Sequence, residues 1–171
     1  MGQSSRCPDG TVQMVDFRRV TRDDLEAVCA LRVASGQEGL VTPNVMTMAE
    51  AQFEPGSLVR AMWRNGRAVG LLAMLRPSAY PAAEDIIIRR DAAYVWRLMV
   101  DKDFQGQGLG TLALDEASRI AIEWGYRGMS LTVGGKPHSA IPFYERYGFT
   151  LTGRKLWNDD NELEMIHWFP D

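Results

Sequence analysis

A run of alternating glycines, QGQGLG at residues 105–110, constrains this chain more than any other feature of its sequence. The residues before it, 94–100 (YVWRLMV), are rich in aromatic and β-branched side chains, which favour a strand. After it, apolar residues recur at helical spacing as far as Trp124, and Gly125 marks the predicted end of that helix. A strand, a glycine loop and a helix in succession predict an α/β fold.

The glycine loop is predicted to bind a diphosphate. The first turn of a helix leaves about four backbone N–H groups without partners and carries about half a positive charge, and glycines let an anion approach them. A dinucleotide-binding loop is excluded, because the spacing is GxGxG and no acidic residue on a following strand marks a ribose site. A triphosphate-binding loop is excluded, because Gly110-Thr111 lacks the required lysine. A glycine-rich turn without a ligand is the alternative.

The remaining sequence patterns predict further strands and helices of the same α/β fold. Thr21 and Asp24 form a capping box at a helix start, and Asn65-Gly66 suits a tight hairpin turn. We expect a flexible leader at residues 1–10 and a single α/β domain at 11–171, with a mixed, mostly antiparallel sheet flanked by helices. The predicted strands are 12–17, 58–64, 68–75, 94–100, 129–133, 150–157 and 162–169, and the predicted helices are 21–34, 46–53, 109–124 and 139–147.

Composition limits the functions open to this chain. Nineteen basic against twenty-two acidic side chains give a net charge of −3, which argues against nucleic acid or an anionic membrane as a partner. The longest apolar run, 68–75, is too short to span a membrane. Cys7 and Cys29 are the only cysteines, so no disulfide framework and no metal site is predicted, and we expect a cytoplasmic protein.

The glycine loop after a strand resembles the Q/R-x-x-G-x-G/A loop of the GNAT superfamily of acyl-CoA-dependent N-acetyltransferases, and the order of elements is similar. The resemblance implies that acetyl-CoA binds where a bulged fourth strand splays from the fifth. A backbone N–H near Met99 would then polarise the thioester carbonyl. The resemblance places the pantetheine and thioester beside Leu98, Met99 and Val100, and the pyrophosphate on Gln105, Gly106, Gln107, Gly108, Leu109, Gly110 and Thr111.

The segment A-x-x-F-Y-x-x-x-G-F at residues 140–149 resembles a second motif of the same superfamily. There the tyrosine points at the coenzyme A sulfur, so the resemblance implies that Tyr144 is the general acid that protonates the leaving thiolate. The alternative is that Phe143 and Tyr144 only pack the helix against the sheet. The chain departs from the family at Pro137, where an asparagine is common, and Lys136 or His138 could contact coenzyme A phosphates instead.

Two further segments, WRLMVD at residues 96–101 and GQEGLVTPN at 36–44, resemble the bacterial spermine/spermidine (diamine) acetyltransferase branch. The resemblance implies a small amine, a polyamine, as the acceptor. A polyamine carries several ammonium groups on an apolar chain, so its site needs carboxylates at intervals with aromatic walls between them. The predicted acceptor residues are Glu38, Tyr80, Glu84, Asp85 and Trp96.

The general base is not evident from the sequence. Some polyamine-acetylating relatives have a glutamate early in the fourth strand, where this chain has Trp96 beside Arg97. We predict that Glu38 or Tyr80 acts as the base through a water molecule. We also predict a carboxylate partner for Arg97, because burying an unpaired guanidinium is costly.

The sequence therefore leaves three functions open. The first is an enzyme that transfers acetyl to a primary amine by direct attack in a ternary complex, since Cys7 and Cys29 lie outside the motifs. The second is a noncatalytic acyl-CoA sensor. The third is an acetyltransferase for a protein, an amino acid or an antibiotic amine. A homodimer is expected only because related enzymes often form one.

Overall fold

The computed structural model describes residues 3–6, 12–38, 42–82, 86–134, 139–156 and 162–170. Over these residues the chain forms one eight-stranded sheet with helices on both faces. The elements are, in chain order, β1 (Gln3–Arg6), β2 (Val12–Arg18), α1 (Leu25–Ala30), α2 (Asn44–Glu50), β3 (Ser57–Arg64), β4 (Arg67–Leu75), β5 (Ala93–Val100), α3 (Leu109–Glu123), β6 (Gly128–Gly134), α4 (Ile141–Tyr147), β7 (Thr150–Lys155) and β8 (Glu162–Trp168).

The sheet is mixed and mostly antiparallel, as the sequence predicts. Its strand order is β1-β2-β3-β4-β5-β6-β8-β7, and β5 with β6 is the one parallel pair within the described residues. The sequence predicts a flexible leader at residues 1–10. Strand β1 lies inside this range and pairs antiparallel with β2. Because of this additional strand, the predicted fourth and fifth strands are β5 and β6.

Strands β5 and β6 separate soon after they meet. They pair only at Ala93 with Met129 and at Tyr94 with Ser130. On its other side β5 stays paired with β4 as far as Val100, and the register shift beside Arg97 leaves Trp96 as a bulged residue. From Val95 onward, the β5 edge that faces β6 is therefore open, which confirms the predicted splay.

The two faces of the sheet bury different helices. Helix α3 packs on β5 and β6 through the apolar stripe that the sequence predicts, while α1 packs on β4 from the opposite face. The α3 face holds the largest apolar cluster, which includes Leu72, Met74, Val95, Leu114, Ala117, Ile120, Leu131, Val133, Phe149 and Met165.

Helix α1 ends at Ala30, four residues before the predicted end. Leu31 is extended, and the next residue bonds to the end of β5: Arg32 N–H donates to Asp101 Oδ2 at 2.8 Å, and Lys102 N–H donates to Arg32 O at 2.7 Å. These tertiary bonds outweigh the local helical preference. They hold the segment after α1 against the end of β5.

Candidate active site

The glycine loop has the backbone geometry of an anion-binding site. Gly106 and Gly108 have φ angles of +74° and +78°, which L side chains rarely adopt, and Gly108 caps the N-terminus of α3. A Cβ atom at either glycine would meet nothing within 4 Å. Within the described part of the chain, the backbone N–H groups of residues 106–111 donate to no other group, and the first helical bond of α3 runs from Leu112 N–H. The loop therefore presents free N–H groups to open space.

Gly110 joins the glycine loop to the second sequence motif. A Cβ atom built on Gly110 would lie 2.9 Å from Cζ of Phe143, so only glycine allows this contact. Phe143 in turn makes an edge contact with Tyr144, with ring centroids 5.0 Å apart. Packing thus fixes α4 against the start of α3, and it explains why both motifs occur in one chain.

Tyr144 is held rigidly by its own motif. Gly148 closes α4 with a φ of +114°, and Phe149 N–H then donates to Tyr144 O at 3.0 Å. The buried Phe149 ring packs on the Tyr144 ring with centroids 5.7 Å apart. The Tyr144 hydroxyl has no hydrogen-bond partner among the residues that the structure describes. Burial raises the pKa of Tyr144 to about 12, with a smaller contribution from Tyr94.

A cavity of about 1040 Å³ connects the glycine loop with Tyr144. It follows the open edge of β5 along the gap to β6, so it is a direct consequence of the splay. Its lining includes most of the cofactor residues predicted from the sequence, namely Leu98, Met99, Val100, Gln105, Gly106, Gly108, Leu109, Gly110, Thr111 and Tyr144.

A second cavity, of about 620 Å³, opens beside the first. Val33, Thr42 and Met99 line both, so the two meet at the end of β5. Glu38 lines the smaller cavity, and its carboxylate accepts a hydrogen bond from Gly36 N–H at 2.7 Å. Cys29 of α1 lines this cavity as well.

The two glutamines of the glycine loop point in different directions. Gln105 Nε2 donates to Gln37 Oε1 at 2.9 Å and to Val100 O at 3.1 Å, which connects the loop after α1 with the glycine loop. Gln107 Oε1 instead accepts from Arg64 at 2.7 Å, and its side chain does not line the cavity.

The predicted acceptor residues do not form one group. Trp96 lines the larger cavity and Glu38 the smaller one. Tyr80 lines neither: it packs against an apolar cluster that Trp96 also contacts, and it donates its hydroxyl to Glu54 at 2.7 Å. Glu84 and Asp85 lie outside the described residues, as do Lys136, Pro137 and His138.

The carboxylate partner predicted for Arg97 is Glu50 of α2. Arg97 Nη2 lies 3.7 Å from Glu50 Oε2, which is an ion pair without a hydrogen bond. The Arg97 guanidinium also lies 4.9 Å from the centroid of the Trp96 ring. Arg97 lines the larger cavity, so a positive charge faces the site.

Sequence reasoning missed one carboxylate at the site, Glu162, which lines the larger cavity from the first residue of β8. No motif marks it, and its place follows only from the pairing of β8 with β6. Elsewhere in the described chain, no three His, Cys, Asp or Glu side chains come together as metal ligands. None of the described helices is both long enough and apolar enough to cross a membrane.

Comparison with known proteins identifies the family. A model of the acetyltransferase (GNAT) family matches residues 25–149, most of the chain, including both motifs. This chain belongs to the GNAT acetyltransferase family. It is 30% identical to the mycothiol acetyltransferase of Propionibacterium freudenreichii over 135 residues, 75% of this chain and 41% of that protein. This chain also matches an N-acetyltransferase of Methanocaldococcus jannaschii, and the match covers 28% of the length of that protein.

Solved GNAT structures confirm the fold. The GNAT domain of S. lividans PAT superposes with a TM-score of 0.71 at 18% identity, covering 98% of this chain and 97% of that one. The PaiA N-acetyltransferase of Thermoplasma acidophilum, solved with coenzyme A, gives a TM-score of 0.64 at 16% identity, covering 91% and 99%. GNAT acetyltransferases use acetyl-CoA, and the open N–H groups beside Gly106 and Gly108 fit its diphosphate.

Proposed function

We propose that this GNAT protein is an acetyl-CoA-dependent N-acetyltransferase whose acceptor is a primary amine of a small cationic molecule. The observation that carries the proposal is the continuous cavity that runs from the free N–H groups of residues 106–111 along the open edge of β5 to Tyr144. One end of this cavity suits a diphosphate, and the half-buried phenol of Tyr144 lies at the other end beside the strand gap.

Acetyl-CoA, when bound, supplies a thioester whose acetyl group moves to the amine while its sulfur leaves as a thiolate. The N–H groups of residues 106–111 hold the pyrophosphate, and Leu98, Met99 and Val100 line the pantetheine path. A backbone N–H near Met99 stabilises negative charge on the thioester oxygen.

Tyr144 serves as the general acid. Its pKa of about 12 keeps the phenol protonated at neutral pH. Burial also raises the proton affinity of a thiolate formed in the same pocket, so a proton can still pass between the two groups.

The acceptor enters from the smaller cavity, which joins the larger one at Met99. A polyamine is the finer proposal. In its support, Glu38 supplies a carboxylate, Trp96 supplies an aromatic wall, and the net charge of −3 favours cationic ligands.

A second acceptor class, amines that also carry a carboxylate, is favoured by Arg97. Its guanidinium lines the cavity, and its contact with Glu50 at 3.7 Å leaves Arg97 Nε buried without a hydrogen bond. An incoming carboxylate could pair with the guanidinium where it lines the cavity. Amino acids are therefore included in the test.

The test is a thiol-release assay with acetyl-CoA and a panel of spermidine, spermine, putrescine, lysine, other amino acids and a peptide amine. Calorimetry measures acetyl-CoA binding in parallel. Turnover of a polyamine supports the finer proposal, whereas turnover of amino acids alone supports the role of Arg97. Binding of acetyl-CoA without turnover of any amine would favour the sensor alternative.

Direct attack in a ternary complex is tested separately, because Cys29 lines the smaller cavity. Intact-mass analysis after incubation with acetyl-CoA alone should show no acetylated protein. A labile acetyl adduct that is absent from Cys29→Ser would show a covalent route instead.

A further inference from the structure

The two faces of the sheet place different side chains beside the gap between β5 and β6. Leu131 and Val133 of β6 point to the α3 face, where Tyr144 also packs. Side chains alternate along a strand, so Thr132 and Gly134 face the other way. Their partners in β8 are Glu164 and Glu162, which therefore share that opposite face.

The two glutamates of β8 differ in their partners. Glu164 is buried and accepts from Arg154 at 2.9 Å and from Thr152 at 2.8 Å. Glu162 is half-buried and lines the larger cavity, and its carboxylate has neither a hydrogen bond nor an ion pair with any described residue. It is also the one carboxylate among the described residues that line this cavity. A carboxylate held without a partner at a site suits a cationic ligand.

Glu162 lies close to the strand gap. The Tyr94 hydroxyl is 2.8 Å from Thr132 Oγ1, and Tyr94 forms the last β5–β6 pair before the strands separate. Burial raises the pKa of Tyr94 to about 12, and the negative charges of Glu162 and Glu164 add to that shift. The Glu162 charge thus acts at the point where the cavity opens.

We infer that Glu162 binds the ammonium group of the acceptor and removes its proton, from the sheet face opposite to Tyr144. The inference rests on the proposed function, and it replaces Glu38 and Tyr80 as the expected base. Glu38 is bonded to Gly36 N–H and Tyr80 to Glu54, whereas the Glu162 carboxylate lines the cavity without a described partner.

The protons balance in this arrangement. Glu162 takes one proton from the ammonium nitrogen and later passes it to solvent. The free amine forms the C–N bond as the thioester C–S bond breaks, and Tyr144 protonates the thiolate. The amide nitrogen loses its second proton, which returns to Tyr144 through solvent. The products are the acetylated amine, coenzyme A as its thiol, and one released proton.

The test compares Glu162→Gln with the wild type on the best acceptor from the panel, across pH. At pH 7 only about one amine in a thousand is unprotonated when its pKa is near 10. Loss of the base should therefore lower kcat/KM by about 10²-fold or more at pH 7. The difference should shrink towards pH 10, because solution then supplies the free amine. Glu162→Asp should recover part of the rate.

The controls separate this role from a structural one. Other titratable side chains also face the cavity or Glu162, namely Arg97, Arg146, Tyr144, Tyr94 and Glu164, and these stay intact in Glu162→Gln. Glu26→Gln removes an exposed carboxylate from α1 and should leave kcat/KM unchanged. Thermal unfolding and acetyl-CoA affinity should match the wild type.

Two results would overturn the inference. The first is a Glu162→Gln rate within about threefold of the wild type at pH 7, well short of a general base. The second is a loss that stays constant with pH, which would indicate a positional effect. If the folded wild type acetylates no amine in the panel, the proposed function itself fails, and the role of Glu162 falls with it.

Discussion

The two halves of the site are built from different parts of the polypeptide. On the α3 face, backbone N–H groups of one continuous loop, residues 106–111, form the proposed cofactor half. On the opposite face, side chains from distant segments form the proposed acceptor half: Glu38 from the loop after α1, Trp96 and Arg97 from β5, and Glu162 from β8. A backbone site can serve every member of a family, whereas a side-chain site can change its acceptor residue by residue.

The change with the largest expected effect is Tyr144→Phe, which removes one hydroxyl group from the α3 face of the site. We expect kcat to fall by about 10²- to 10⁴-fold, since a general acid contributes that much. Acetyl-CoA affinity should not change, because the ring still packs on Phe143 and Phe149. Pre-steady-state thiol release measures the chemical step directly.

Tyr147→Phe is the matched control. Its hydroxyl bonds to Asp115 at 2.9 Å and does not line the cavity, so activity should stay within about twofold of the wild type, the scale of a surface change.

The pH profile gives a second readout for Tyr144. Because burial raises its pKa from 10.0 to about 12, the phenol keeps its proton as the pH rises past 10. The rate should therefore show no descending limb from this group until the pH approaches 12. A limb near pH 10 that disappears in Tyr144→Phe would contradict the burial of this phenol.

The next test, Gly108→Ala, concerns the backbone loop. A Cβ atom here meets nothing within 4 Å, so we expect its effect on binding to come from obstructing an anion that approaches the N–H groups. Losing one charged hydrogen bond, worth about 1.5–3 kcal/mol, should raise the acetyl-CoA Kd by about 10- to 100-fold. With saturating acetyl-CoA, the amine KM should stay the same.

Gly125→Ala offers a control at the other end of α3. Gly125 also has a positive φ, +84°, and its Cβ would also meet nothing within 4 Å. Both variants should lose a similar amount of stability, about 1–2 kcal/mol from backbone strain. Only Gly108→Ala should lose affinity for acetyl-CoA in calorimetry. An equal loss in both would mean that strain, rather than the anion site, determines binding.

The difference between a local backbone loop and side chains from distant segments also explains what the sequence can predict. The capping box at Thr21 and the hairpin turn at Asn65-Gly66 depend on neighbouring residues, and both occur as predicted. The glycine loop is equally local. Sequence patterns of this kind indicate the fold and the cofactor half because the information lies within a few residues.

The acceptor half depends on contacts between distant segments, and local sequence patterns do not predict such contacts. Arg97 meets Glu50 only because α2 packs beside β5, and Glu162 reaches the cavity only through its pairing with Gly134. Tyr80 was a reasonable aromatic candidate, but tertiary packing places it against Glu54. Local sequence therefore predicts carboxylates for an acceptor site but cannot indicate which of them reach the cavity.

Gln105 bridges the two halves, so it offers the mildest and most discriminating test. Its amide joins Gln37, in the loop after α1, to Val100 at the end of β5. A typical hydrogen bond contributes about 0.5–1.5 kcal/mol, so Gln105→Ala should raise the amine KM by about 2- to 10-fold while the acetyl-CoA Kd changes less.

A double-mutant cycle shows whether this bridge acts as one unit. If Gln105 and Gln37 act through their shared bond, Gln37→Ala should raise the amine KM as Gln105→Ala does, and the double variant should add little to either. Simple addition of the two effects would show that each glutamine acts independently. In that case the two halves of the site would be coupled by the end of β5, where Arg32 N–H donates to the Asp101 carboxylate, a bond that does not depend on either glutamine.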